Sequence, residues 1–508
     1  MNKIRKINAE KAASAGVLVL LMIFPLIMTD GYFNITVTRF LFFAIASPLF
    51  FLLCMVLKSE ESDEARKSIK QRLSGFSYSD FSFAAFVLIS AVSCVFSEHP
   101  AEALSGNAGR RMGLIMIVAM FLAYLFISGF YRIREFEFIV FGAVGAFMAV
   151  FGMFQFIGFD LLWLHSQLAQ QDTYRFLSFM GNINIYSSFM CIVLPLSAYM
   201  FCFAEKKVKS VFWLVVTALS FIGLLNSISD SAFLGLAATF VVLGIMTAVS
   251  KRAFQRFFAV IITILISGGL FDIIRKTVVD PSRPWSALNE LITNPWVIAA
   301  GTVASAIFII ILNFLNISQK GFSVIRKVIA AGAVIAAAAL IFLMVWFTAF
   351  DKTSELNGFL KYLRFTDDWG NGRGFAWKKL MEIFSELPFY QKLIGIGPDT
   401  VAYVMVEGFS AEMQEKFGFY FDNAHNDLIQ YLVTTGVFGV ASYLLLVFTA
   451  VRSCLKSTND ITRAMLLPIA AFFVQSLVNI TQPLTTPFFF MFIAFSQCKV
   501  YEKTKITE

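Results

Sequence analysis

Residues 328–349 read VIAAGAVIAAAALIFLMVWFTA, 22 positions without a charge, before the chain enters a long stretch of mixed polarity. At 1.5 Å per residue, a helix of that length covers the ~30 Å hydrocarbon thickness of a bilayer. The run shows no strand-like alternation. In lipid, only a helix or a closed barrel satisfies its own backbone groups, so the stretch predicts a transmembrane helix.

Working outward, comparable apolar runs occur near 12–29, 39–57, 81–97, 112–130, 138–158, 183–203, 211–227, 231–249, 258–271, 297–315, 426–450, 464–480 and 488–498. With 328–349 they make about 14 candidate spans, 12–14 once the two short ones are discounted. Hydrophobic residues make up 58% of the chain and charged residues 15%, with a mean hydropathy of +0.74, which excludes an ordinary soluble domain. The fold class is an all-α polytopic membrane protein. Residues 1–349 read as an N-terminal transmembrane bundle, 350–425 as an extracytoplasmic catalytic loop, and 426–508 as C-terminal helices with a short cytoplasmic tail.

The net charge of +8 does not point to nucleic acid, because the cations sit in short loops between spans. Alternate loops carry 26 Lys and Arg on one side and 7 on the other once the long loop is set aside, which places both termini in the cytoplasm. Lys3, Arg5, Lys6 and Lys11 precede the first run as in a signal peptide, but no small-residue cleavage site follows, so this helix reads as retained. Residues 58–72 mix both signs of charge and read as a solvated cytoplasmic helix. The six cysteines form no CxxC pair, and neither a disulfide framework, a metal site nor a cofactor is expected.

The long loop concentrates the chemistry. Trp377, Leu380, Met381, Phe384 and Leu387 recur at helical spacing, with Lys378, Lys379, Glu382, Ser385 and Glu386 opposite, and Pro388 ends the pattern. This is an amphipathic helix suited to the headgroup plane. Arg373 at its start pairs a guanidinium fork with a helix N-terminus, an anion site; the plainer alternative is an ion pair with Asp367 or Asp368. Gly395-Ile396-Gly397-Pro398 reads as a tight turn that lets another group approach the backbone. His425 stands where the next span begins, with Asp422 or Asn423 placed to cap it. The helix dipole there favours a neutral imidazole, and Asn426 and Gln430 would share a face toward sugar hydroxyls. His99 and His165 also fall outside the membrane but lack such surroundings.

These elements, in this order, resemble the O-antigen ligase/polymerase superfamily: Gly372-Arg373, Trp377, Gly395-Ile396-Gly397-Pro398, Ala424-His425-Asn426 and Gly436-Val437-Phe438-Gly439. Upstream, Arg110/Arg111-Met112-Gly113-Leu114 looks like the family's Arg-x-Gly-Leu element, and Met180-Gly181-Asn182-Ile183-Asn184 like its Gly-Asn-x-Asn turn. The resemblance implies a GT-C-like glycosyltransferase of a bacterial cytoplasmic membrane. Its donor is a glycan on undecaprenyl diphosphate, its acceptor a glycan or lipid, and it needs no metal or nucleotide sugar. In that picture Arg373 stabilises the departing diphosphate together with Arg110 or Arg111 and Arg175, and His425 activates the acceptor. Asn423, Asn426, Asp230 and Trp377 are the acceptor and sugar contacts. One departure stands out: Ser229-Asp230-Ser231 lies where many relatives carry an arginine between small residues. Asp230 would repel a phosphate, and another arginine, an acceptor contact or a bridging cation would have to account for it.

Two rivals belong elsewhere. A lipid-linked oligosaccharide flippase or transporter suits the span number, but would show ionisable residues within the spans and related halves, which this sequence lacks. The peptidoglycan glycosyltransferases related to cell-shape proteins have a comparable outer loop but do not match Ala424-His425-Asn426.

Overall fold

The computed structural model describes residues 8–61, 77–280 and 283–500. Lys3, Arg5, Lys6, Pro281, the chain termini and most of the 58–72 segment lie outside the described residues. Nine helices among those described are long and apolar enough to cross a membrane, and Leu114–Phe130, Ser231–Thr247 and Thr486–Gln497 are shorter apolar helices. Ala9–Leu18 with its π-helical continuation Val19–Ile23, and Leu466–Ser476, occupy the two remaining positions expected from the apolar runs. The chain is an all-α polytopic membrane protein. The short run 258–271 belongs to a much longer helix, Lys251–Val278, because polar turns extend it at both ends.

Burial sorts the helices into layers. Ile183–Phe203 is enclosed by the other helices, whereas Pro295–Phe314 and Gln319–Phe350 bury almost nothing although both are strongly apolar. A helix that is apolar all round and unburied is matched to lipid, not to a protein core. Phenylalanine fills the bundle: Phe141, Phe189, Phe488 and Phe492 interlock with ring centroids 5.3–5.7 Å apart.

The twelfth expected span is not one straight helix. Asp427–Lys456 breaks at Gly436, whose φ of 68° and ψ of −173° are non-helical. Sixteen residues of continuous helix would separate Asp427 from Tyr443 by about 24 Å. Instead Asp427 lies within electrostatic reach of Tyr443 and close to Ser476, and the Tyr431 and Tyr443 ring centroids, twelve residues apart in the chain, are 4.9 Å apart. The first turns therefore fold back against the span that follows.

The 350–425 stretch has a core of its own. Phe375, Ala376, Leu380, Ile396, Val401, Met405, Met413, Phe421, Ala424 and Val433 pack together. The apolar face of Trp369–Glu386 is turned onto Val401–Phe417 and the start of Asp427–Lys456, leaving only Met381 well exposed at its edge. This differs from a helix lying free in the headgroup plane: the second helix, Val401–Phe417, supplies the apolar partner that a single-helix pattern leaves unidentified. Surface pairs Lys378–Asp367–Lys416 and Lys379–Glu412 tie the two helices at their rim, each adding little.

Candidate active site

The Gly395-Ile396-Gly397-Pro398-Asp399 turn is the hub. Ile396 N–H donates to the Val433 carbonyl at 3.1 Å and Gly397 N–H to the Thr434 carbonyl at 3.0 Å, which satisfies carbonyls freed by the break at Gly436. Asp399 Oδ2 accepts from the N–H groups of Asn107 at 2.8 Å and Met112 at 3.0 Å. One turn thus fixes both the helix that follows His425 and the loop that carries Arg110 and Arg111. Burial pushes the Asp399 carboxyl up to about 7, against the pull of those two N–H groups and of the Arg110 cation.

Arg373 opens the regular part of its helix, after Gly370, Asn371 and Gly372 at positive φ. Gly372 is needed there twice over, since its φ is 88° and a Cβ would lie 2.5 Å from the Phe421 ring. Arg373 pairs with neither Asp367 nor Asp368: Asp367 holds Lys378 and Lys416 instead. Its electrostatic neighbours are Tyr362 and Asp230, and burial lowers its affinity for its proton. Tyr362 Oη donates to Asp230 Oδ2, so the Ser229-Asp230-Ser231 turn reaches Arg373 directly. Beneath it, Ser229 Oγ donates to Asn184 Oδ1 at 2.8 Å, and Asn479 Nδ2 donates to the Asn184 carbonyl at 3.1 Å. The Gly181-Asn182-Ile183-Asn184 turn therefore seats Asp230.

His425 takes a left-handed conformation, φ 51°, with its N–H donating to Asn423 Oδ1 at 2.8 Å. Burial, then the Arg373 and Arg110 cations, hold its imidazole well below the usual histidine range. The neutral ring expected from the helix dipole is thus secured mainly by other means. The cap of the following helix is Asn426, whose Oδ1 accepts from Leu428 N–H at 2.9 Å and Ile429 N–H at 3.1 Å; Asp422 and Asn423 are used elsewhere. Gln430 Oε1 accepts from Ala424 N–H at 3.0 Å, so the carbonyl oxygens expected to face sugar hydroxyls are both committed to backbone. An asparagine two residues before a helical N–H closes the cap more tightly than the more distant candidates.

Arg110 grips Asp422 with two hydrogen bonds, Nε to Oδ2 at 2.9 Å and Nη2 to Oδ1 at 2.6 Å. Arg111 stands beside it at φ 54°. Trp377 Nε1 donates to the Ala424 carbonyl at 2.8 Å, one residue before His425. Arg373 and Arg110 thus act on His425, Trp377 holds the residue before it, and Asp230 joins through Arg373 and Tyr362. Arg175 stands apart: its side chain is 59% exposed, 3.4 Å from Asp172 and stacked on Tyr174. His165 turns Nε2 to the Phe176 carbonyl, and His99 stacks on Tyr403 near Glu407, each on its own loop.

Among these residues Arg111 Nε, Asp230 Oδ1, Arg373 Nε, Asn423 Nδ2 and His425 Nδ1 are buried without a hydrogen-bond partner. A buried polar atom left unpaired costs about 1–3 kcal/mol, and those on Asp230, Arg373 and His425, which are linked electrostatically through Arg373, mark a site built to be completed by something else. Arg111, Asn371, Asp399 and His425 also hold positive φ without being glycine, and such strain gathers where a ligand is gripped.

Residues 297–444 match the O-antigen ligase family model. That segment is similar to the O-antigen ligase family. The match covers Arg373, Trp377, Asn423, His425 and Asn426 and bears out the resemblance carried by their motifs. Arg110, Arg111, Arg175 and Asp230 lie outside the matched residues. No curated protein matches the chain. The match supports a membrane O-antigen ligase-like enzyme. The sequence alone marks Asp422 only as a candidate helix cap and assigns Asp399 and Tyr362 no role. Asp399 follows the glycine turn and Asp422 precedes Asn423, so adjacency to a motif was the available signal; Tyr362 had none.

Proposed function

We propose that this O-antigen ligase-like enzyme transfers a glycan from undecaprenyl diphosphate to an acceptor hydroxyl, as ligase or as polymerase. It works at the outer face of the bacterial cytoplasmic membrane, with GT-C-like architecture, both termini inside and no metal. The observation that supports this most is that Arg373 and His425, each with a buried unpaired nitrogen, interact electrostatically, with Arg110 as a second cation acting on the ring. Two arginines beside a neutral imidazole suit a diphosphate leaving group and an acceptor hydroxyl.

In the step proposed, the acceptor oxygen bonds to C1 of the donor's reducing-end sugar as the C1–O bond to diphosphate breaks. The electron pair leaves with undecaprenyl diphosphate, and the hydroxyl proton passes to His425. Arg373, Arg111 and Arg110, the last released from Asp422, meet the departing charge; Arg175 joins only if its loop carries it inward. Burial keeps His425 deprotonated, and the cations that add to this effect are those the diphosphate would neutralise. Donor binding would therefore raise the basicity of the ring just when a base is needed. Asn423, Asn426, Trp377 and Asp230 stand on the acceptor side.

Purified protein incubated with undecaprenyl-diphosphate-linked oligosaccharide should release undecaprenyl diphosphate. Longer glycans on the same lipid would identify a polymerase, and release only with a separate acceptor a ligase. An intact donor with every acceptor would overturn the reading.

A further inference from the structure

Next to Arg373 four aromatic rings meet. The Trp369 and Trp377 centroids are 5.1 Å apart, Phe365 lies 5.8 Å from Trp369 and 6.0 Å from Trp377, and Tyr362 lies 6.1 Å from Trp369. All four remain partly accessible. Both indole N–H groups are spent on backbone: Trp369 Nε1 donates to the Tyr362 carbonyl at 2.9 Å and Trp377 Nε1 to the Ala424 carbonyl. The rings are thereby held in place with only carbon surface left to offer. Lys361 and Lys378 lie over Tyr362 and Phe365, at 5.3 and 5.4 Å, so the remaining stacking surface falls mainly to the indoles. At the Tyr362 end stands Asp230, one oxygen bonded to Tyr362 and the other buried and unpaired.

An apolar ring wall ending in a fixed acceptor atom matches the two aspects of a pyranose, its C–H face and its hydroxyl edge. We propose that Trp369 and Trp377, supported by Tyr362 and Phe365, form a subsite for a neutral sugar ring of the acceptor, whose hydroxyl donates to Asp230 Oδ1. This rests on the transfer reading and adds a substrate class to it. A uronic acid at that position would set its carboxylate against Asp230 once Arg373 is engaged by diphosphate, and would be rejected. The departure at Asp230 thus becomes a specificity device: the position selects the acceptor and leaves the diphosphate to the arginines.

The test uses full-length protein in nanodiscs, saturating lipid-linked donor, and matched oligosaccharide acceptors ending in a hexose or the corresponding hexuronic acid. Trp369→Ala should raise the acceptor KM about tenfold or more with the donor KM unchanged, and Trp369→Tyr should recover most of it. Asp230→Asn should bring the hexose-to-uronate preference at least about tenfold closer to parity. An equal rise in donor KM, no change in acceptor KM, or an unaltered preference in Asp230→Asn would overturn the subsite. Should the wild type transfer nothing, the transfer reading fails, and saturation-transfer NMR with the free hexose-ended oligosaccharide decides the subsite alone. Contact signals lost in Trp369→Ala support it, and signals independent of Trp369 or absent from the wild type overturn it.

Discussion

Gly395 and Gly436 stand backbone to backbone. A Cβ on Gly395 would lie 2.2 Å from the carbonyl carbon of Thr434, and one on Gly436 would lie 2.3 Å from the carbonyl carbon of Leu393. Two motifs 41 residues apart therefore exist for each other: the first turns so that the helix after His425 can break where the second allows it. Both glycines also hold positive φ, 83° and 68°. Gly395→Ala or Gly436→Ala should each cost about 3 kcal/mol or more, read as a fall in thermal midpoint in detergent. Gly332, with nothing within 4 Å of its missing Cβ, provides the control, and Gly332→Ala should change stability by less than about 1 kcal/mol. Equal effects at the three sites would contradict the packing argument.

Arg373 is half-buried beside Asp230 and Tyr362, with its Nε buried and unpaired. Arg373→Ala should lower transfer by about 10²-fold or more while the protein remains inserted and folded. Arg373→Lys should recover only part, because an ammonium lacks the planar fork. Polymer or ligated product at wild-type rate from Arg373→Ala would remove the residue from the mechanism.

For His425, turnover should fall by roughly 10²- to 10⁴-fold in His425→Ala with donor binding retained. Its depressed pKa fixes the pH behaviour. The ring of the unliganded enzyme stays neutral well below the usual 6.5, so kcat/KM for the donor should hold level from about pH 8 to pH 6 instead of halving near 6.5. The unfolded chain does take up that proton near 6.5, so stability contributed by the neutral ring is present above that pH and declines as pH drops below it. A rate profile that titrates at an ordinary histidine pKa and survives His425→Ala would point to another group.

Asp399 gives the opposite sign. Its carboxyl is raised to about 7 in the folded protein, so its contribution to stability is fully present below the ordinary carboxylate range and is lost as pH climbs through 7. Thermal midpoints should decline between about pH 4 and pH 7 and level off above it. Asp399→Asn keeps an oxygen for the Asn107 and Met112 N–H groups and should flatten that decline. An unchanged slope in the variant would assign the pH dependence elsewhere.

Much of this molecule was legible in its sequence because lipid imposes a simple rule on backbone and side chains alike. The apolar runs from 12–29 to 488–498 located the helices, and the ordered motifs from Gly372 to Gly439 located Arg373 and His425. What stayed hidden depends on contacts between distant segments. Nothing local to Asp427–Lys456 shows that Gly436 breaks the helix, because the groups that satisfy the break are the N–H groups of Ile396 and Gly397. The role of Asp422 is set by Arg110, more than 300 residues upstream, and Tyr362 acquires meaning only through Asp230. Asn426 and Gln430 share the expected face, yet their oxygens answer nearer demands from the backbone.

The most direct test of the account is the fate of the lipid when purified wild-type protein and Arg373→Ala are given undecaprenyl-diphosphate-linked oligosaccharide together with acceptor. Free undecaprenyl diphosphate should appear in step with the glycosylated product for the wild type, and should fall by about 10²-fold or more in the variant. An intact donor with the wild type, accompanied by movement of the glycan across a liposome bilayer, would contradict the account and identify a transporter.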